Sequence, residues 1–120
     1  MIEIRKALQS FLSALHPRVY FKSAPDTAQF PYVVYNLQII SGGEYQETVL
    51  VDIDGWDQNN TGDTTTLEEL MKKINALDKA SLVTDDLAVT FFKDNMLTVE
   101  DTDKSIKRRQ NRYTGLLYRR

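Results

Sequence analysis

Residues 31–40 read Pro31-Tyr32-Val33-Val34-Tyr35-Asn36-Leu37-Gln38-Ile39-Ile40, and Ser41-Gly42-Gly43 follows at once. β-Branched and aromatic side chains dominate the run, which predicts a strand, and the glycine pair predicts a hairpin turn. The return strand is expected from about Glu44 to Trp56. Within it Val49, Val51 and Ile53 point one way, and Leu50, Asp52 and Asp54 the other. A two-stranded ribbon does not stand alone in water, so further strands or helices must cover its apolar side.

The rest of the chain supplies them. Ile4, Leu8, Phe11, Leu12 and Leu15 recur at three- and four-residue steps, which predicts an amphipathic helix over residues 2–15. Pro17 ends it, because proline disfavours helical geometry in the residue before it. Val19-Tyr20-Phe21 is a short strand candidate, and residues 22–30 read as a loop. Asp57 to Thr65 is the most polar stretch, a loop expected to order when a partner docks. Thr66 and Glu69 match a capping box, followed by Leu67, Leu70, Met71, Ile74 and Leu77 at helical spacing. A second helix is therefore expected over about 67–79. Leu87–Phe92 and Met96–Glu100 read as two strands separated by a turn at Lys93-Asp94-Asn95. Asp101-Thr102-Asp103-Lys104 is a further turn, and a closing strand spans about Ile106 to Tyr118. Helix, strands, helix, strands is the order of a single-domain α+β protein, with an antiparallel sheet packed against two helices. At 120 residues one such domain is expected.

Charge is unevenly divided. The last 17 residues carry seven Lys/Arg and no acid, against eight basic and 17 acidic side chains in the preceding 103. The two segments stand at +7 and −9 in a chain of net charge −2. The basic segment interleaves Arg108, Arg109 and Arg112 with Tyr113, Leu116, Leu117 and Tyr118. That composition suits a strand with one wet cationic side. A pI near 5.3 argues against a dedicated nucleic-acid binder. The chain has no cysteine, so disulfides and thiolate metal sites are excluded. The first residues lack a secretory h-region and no apolar run approaches a bilayer span, so a cytosolic product is expected.

Enzyme signatures are wanting. His16 stands alone before Pro17 and reads as a solvated helix terminus; one histidine without cysteine builds no ordinary zinc site. Asp52 and Asp54 share one strand face and, with Asp57, form the one carboxylate cluster worth weighing for Mg²⁺ and phosphodiester cleavage. Lys93 and Glu100 could be added, but no spacing demands them. The plainer reading is a half-exposed sheet face. Ser41-Gly42-Gly43 leads into a strand and lacks the Gly-Lys-Ser/Thr ending of a phosphate loop. Tyr113 or Tyr118 could stack on bases of a bound nucleic acid. Pairing of the basic strand with the excess of acid elsewhere is the stronger reading. No catalytic residue, metal or cofactor is expected.

With these elements placed, the sequence resembles the tail-completion proteins of long-tailed bacteriophages and prophages, the tail terminator or tail-to-head joining group. The resemblance rests on Phe30-Pro31-Tyr32-Val33-Val34-Tyr35, Val51-Asp52-Ile53-Asp54-Gly55-Trp56-Asp57, Leu67-Glu68-Glu69-Leu70-Met71 and the run from Asp103 to Tyr118. It implies an α+β protein that forms a hexameric ring. The ring would cap the tail tube, stop its polymerisation and present a surface to the head connector. It further implies the host cytoplasm during assembly and the virion tail or neck afterwards. Another neck component is the alternative. Gly55 departs from the pattern, where a larger strand residue is expected, and suggests a bulge.

A ring requires heterologous contacts between unlike surfaces, which the −9 body and +7 strand supply. Arg108, Arg109 and Arg112 are therefore expected to face Asp52, Asp54 or Asp57 across a subunit boundary, with Trp56 and Tyr113 beside them in the interface. Rim pairs of this kind set orientation more than affinity. If they matter, self-association should weaken with salt.

Overall fold

The computed structural model describes residues 2–41, 47–100 and 103–119. Helix α1 (Ile2–Leu15) is followed by strands β1 (Val19–Phe21), β2 (Tyr32–Ser41) and β3 (Glu47–Gln58). Helix α2 (Thr65–Ile74) continues into a 3₁₀ turn (Asn75–Leu77), then come β4 (Ser81–Val83), β5 (Leu87–Glu100) and β6 (Ile106–Arg119). The six strands form one sheet in the order β1-β2-β3-β6-β5-β4. It curves into a half-barrel. The expected purely antiparallel sheet is corrected here: β1 runs parallel to β2, with Val19 opposite Val33 and Phe21 opposite Tyr35. The reason is the path of residues 22–31, which return to the start of the same side of the sheet. That connection is too long for a tight hairpin and leaves the two strands in the same direction.

Alternation decides which side is covered. Val33 and Tyr35 on β2, Val49, Val51 and Ile53 on β3, Val89 and Phe91 on β5, and Tyr113 on β6 are all at most 1% exposed. Against them pack Ile4, Leu8 and Leu12 of α1, and Leu67, Leu70, Met71 and Ile74 of α2. Both helices thus lie on one side of the sheet, and their burial of large aliphatic side chains is the main stabilising term. α1 has the expected bounds, and its last turn closes with His16 N–H donating to Leu12 O at 3.0 Å. His16 Nε2 and Arg18 Nε both lie within 3.0 Å of Pro31 O, so the histidine ties the helix end to the start of β2.

Other expectations shift. β5 is one continuous 14-residue strand, not two; the Lys93-Asp94-Asn95 segment is a bulge in its register. Three polar residues resemble a turn locally, but pairing with β6 on both sides carries the strand through. The bulge expected at Gly55 is absent: Gly55 sits in regular register between Val33 and Arg109. A Cβ there would stand 2.5 Å from Met71 Sδ and 3.0 Å from Leu67 Cδ1, so the missing side chain lets α2 approach β3. α2 begins two residues early. Thr64 is its N-cap without a side-chain cap bond, and Asp63 Oδ1 accepts instead from Thr65 N at 2.9 Å. The Thr66–Glu69 box is therefore not used. Short β4 escaped notice because three residues carry no period. The polar loop before α2 is held within the chain. Asn59 N–H donates to Ser105 O, Asn59 Oδ1 accepts from Gly62 N, and Asn59 Nδ2 donates to Asp63 O. Gly42 and Gly43 of the expected hairpin turn, the first residues of the expected return strand, and Asp101-Thr102 lie outside the described residues.

Candidate interaction surface

Among the described residues, the other side of the sheet carries no helix. It presents Tyr32 and Asn36 from β2, Asp52, Asp54 and Trp56 from β3, and Arg108, Arg112 and Tyr118 from β6, by the strand register. β6 sits between β3 and β5, in the middle of the sheet. That position decides the fate of the basic segment. Arg108 Nη2 contacts Asp54 Oδ2 at 2.5 Å, and its guanidinium lies 4.6 Å from the centre of the Trp56 ring. Arg112 forms a two-pronged pair with Asp52, Nε to Oδ1 at 2.7 Å and Nη2 to Oδ2 at 3.2 Å. Arg119 does the same with Glu47 at 3.0 and 3.1 Å. Hydrogen bonding to these carboxylates raises the pKa of Arg112 and of Arg119 above the ordinary guanidinium value. Arg109 points to the helix side, 3.9 Å from Glu68.

The expected pairing of Arg108, Arg109 and Arg112 across a subunit boundary is therefore corrected: their carboxylate partners belong to the same chain. The acids of the body and the bases of the tail are neighbours because β3 and β6 pair along twelve residues. Two further residues fall elsewhere than expected. Tyr113 is fully buried, with its hydroxyl accepting from Asn111 Nδ2 at 2.9 Å and donating to Asn75 Oδ1 at 3.1 Å. Burial pushes its pKa up to about 12. It is a core residue and offers no ring for stacking. Asp57 turns to the helix side, 8% exposed, where its Oδ1 accepts from Gln58 N.

Asp52 and Asp54 do share a face, but each is committed to an arginine. Lys93, paired with Tyr113, stands on the opposite side of the sheet. Among the described residues no group of three His, Asp or Glu is placed to hold a metal ion. No helix among them is long and apolar enough to cross a membrane.

An aromatic row went unread in the sequence. Tyr32 stacks on Trp56 with ring centres 6.1 Å apart, Phe30 lies 5.1 Å from Tyr32, and Tyr20 meets Tyr32 edge-on at 6.0 Å. With Arg108 over Trp56 it makes a continuous amphipathic band at one end of the open face. The phase of Phe30 and Tyr32 relative to Trp56 was the available signal, but only the register brings them together. Three polar atoms in this band are buried without a hydrogen-bond partner: Asp54 Oδ1, Trp56 Nε1 and Arg108 Nε. On the other side of the sheet, a groove of about 380 Å³ opens between α2 and the far half of β5, lined by Met71, Asn75, Met96, Arg109 and their neighbours.

No family model matches the chain, and no curated protein matches it. Its fold is nevertheless that of a chain in the virion of a native gene transfer agent particle. The two superpose with a TM-score of 0.70 at 15% identity, over 95% of this chain and 90% of that one. At that identity the likeness is one of fold.

Proposed function

We propose that this protein is a structural virion component of the tail-completion kind. Copies of it form a ring, with six subunits as the expected number, on the end of a tail tube. The ring stops tube growth and presents its other side to a head connector protein. The carrying observation is the near full-length fold likeness to a virion chain, over both chains' lengths. The open sheet face supports it. A wide surface with an aromatic band and ion pairs already formed suits a protein partner better than a reaction. In this reading Trp56 and Arg108, with Asp52, Asp54 and Arg112 around them, belong to an interface as a preformed patch. The protein would act in the host cytoplasm during assembly and remain in the virion neck.

The test uses purified protein and tail tube protein from the same genome. Added during tube polymerisation, the protein should shorten tubes in proportion to its concentration and appear as a cap on tube ends in electron micrographs. Tubes of unchanged length with bare ends would refute the reading. Trp56→Ala should reduce capping while leaving the fold intact by circular dichroism, because Trp56 lies outside the core cluster.

A further inference from the structure

Beyond the short outer strands β1 and β4, the long strands β2 and β5 each leave a segment of edge uncovered among the described residues, and the two segments match. β1 covers the outer edge of β2 only to Tyr35: Val33 N–H donates to Arg18 O and Lys22 N–H to Tyr35 O. Beyond that point Leu37, Ile39 and Ser41 turn their backbone groups outward. On the far side of the sheet β4 pairs with Ala88–Thr90, and Phe91 N–H donates to Ala80 O. After the bulge Met96 and Thr98 face outward. At each place the first free N–H is satisfied by the asparagine before it. Asn36 Oδ1 accepts from Leu37 N at 2.9 Å, and Asn95 Oδ1 from Met96 N at 2.8 Å. A side chain thus stands in for an absent strand at both edges.

Both segments, 37–41 and 95–99, are five residues long and carry no charge and no proline. Natural edge strands are usually guarded by one or the other. Each displays exposed aliphatic surface: Ile40 is 41% exposed on one, Met96 52% and Leu97 47% on the other. β2 and β5 run in opposite directions, since three antiparallel pairings separate them.

We infer that the occupant of each edge is the other edge on a second copy of this chain, a contact that rests on the ring reading above. A copy set beside the first in the same orientation brings its β2 antiparallel to β5. Matching outward N–H groups and sheet faces limits the register to steps of two residues, and covering Ile40 with Leu97 selects one of them. Ile39 pairs with Thr98, Ser41 with Met96, and Ile40 with Leu97, so the two exposed aliphatic side chains cover each other. Ile39 is level with Gly115 and Thr98 with Arg109, six residues apart along β6. Successive copies therefore step by ~20 Å along the strands for every ~19 Å across four of them. That corresponds to a strand tilt of about 45°, close to the range in which a sheet closes on itself. The contact is heterologous and, once the ring closes, covers both of these edge segments in every copy.

Ile40 and Leu97 would form a non-hydrogen-bonded pair, the closer kind, suited to a disulfide. Within one chain β3 and β6 stand between them. The chain has no cysteine of its own. The test is the double variant Ile40→Cys/Leu97→Cys under mild oxidation, read on a non-reducing gel, in solution and on tube ends. Sedimentation of the unmodified protein runs in parallel. The expected result is a ladder ending at one closed multimer, with a 1:1 mixture of the two single variants giving only the mixed dimer. Dimers from Leu97→Cys or Ile40→Cys alone, with no ladder from the double variant, would show like edges pairing and overturn the proposal. Assembly of the unmodified protein with no crosslink would overturn edge pairing and leave the ring standing. A protein monomeric both free and on tubes would remove both.

Discussion

Tyr113 and Gly115 show how closely β6 is fitted into the core. Tyr113→Phe removes the hydroxyl that receives Asn111 Nδ2 and reaches Asn75 Oδ1. It leaves a buried amide short of a partner, and should cost ~1–3 kcal/mol in denaturant unfolding. The same phenol makes stability depend on alkaline pH. Its folded pKa of about 12 lies above the ordinary 10, so the folded state holds the proton more tightly. The stabilisation is complete below the unfolded value and is lost as pH rises through the folded one. Thermal midpoints should fall across that interval, and Tyr113→Phe should remove much of the fall. Glycine gives a contrast. A Cβ at Gly115 would stand 2.8 Å from both Phe91 Cε1 and Val89 Cγ2, fully buried groups with nowhere to go. At Gly55 it would meet the bendable side chain of Met71. Gly115→Ala should cost ~1–3 kcal/mol and Gly55→Ala distinctly less, measured by urea midpoints. Neither close approach is written in the sequence, where Gly55 suggested a bulge and Gly115 nothing.

Among the elements, β3 and β6 hold the sheet together through their side chains as well as their backbones. Removing Arg108 strands Asp54, whose side chain is 14% exposed, and uncovers Trp56. Arg108→Ala should cost ~1.5–3 kcal/mol, the range for hydrogen bonds to charged groups. Arg108→Lys should recover only part, because lysine lacks the planar fork and the stacking. The outer pair of Arg112 with Asp52 is more open, so its double-mutant coupling should be smaller and fade in high salt. Most element boundaries were legible. Alternation placed β2 and β3, and three- and four-residue spacing placed both helices. The long β5 was not, because Lys93-Asp94-Asn95 carries turn composition and only pairing with β6 overrides it. The α2 cap moved for a similar reason: several Thr and Asp residues could serve, and the geometry of the preceding loop chose Asp63.

For the whole molecule, the location of β6 changes the expected energetics of assembly. Sequence composition separates a basic tail from an acidic body, which suggests opposite charges meeting between copies. In the fold the tail is a central strand: Arg108, Arg112 and Arg119 are answered by carboxylates of β3, and Arg109 faces Glu68 of α2. Self-association should therefore depend little on salt, since apolar contact and backbone pairing would carry it. Sedimentation at low and high ionic strength checks this: a steep loss of assembly with salt would return the cationic strand to the interface.

The sequence by itself determined the class of the domain, the helices, the main hairpin and which side of β2 and of most of β3 faces the core. These follow from period and propensity, which are local. Tertiary structure alone decided the strand order, the in-chain neutralisation of the arginines, the burial of Tyr113 and the two uncovered edge segments. Each depends on which distant segments lie side by side. The last strand finds its neighbours through burial and backbone pairing, and charge composition carries no information about who they are.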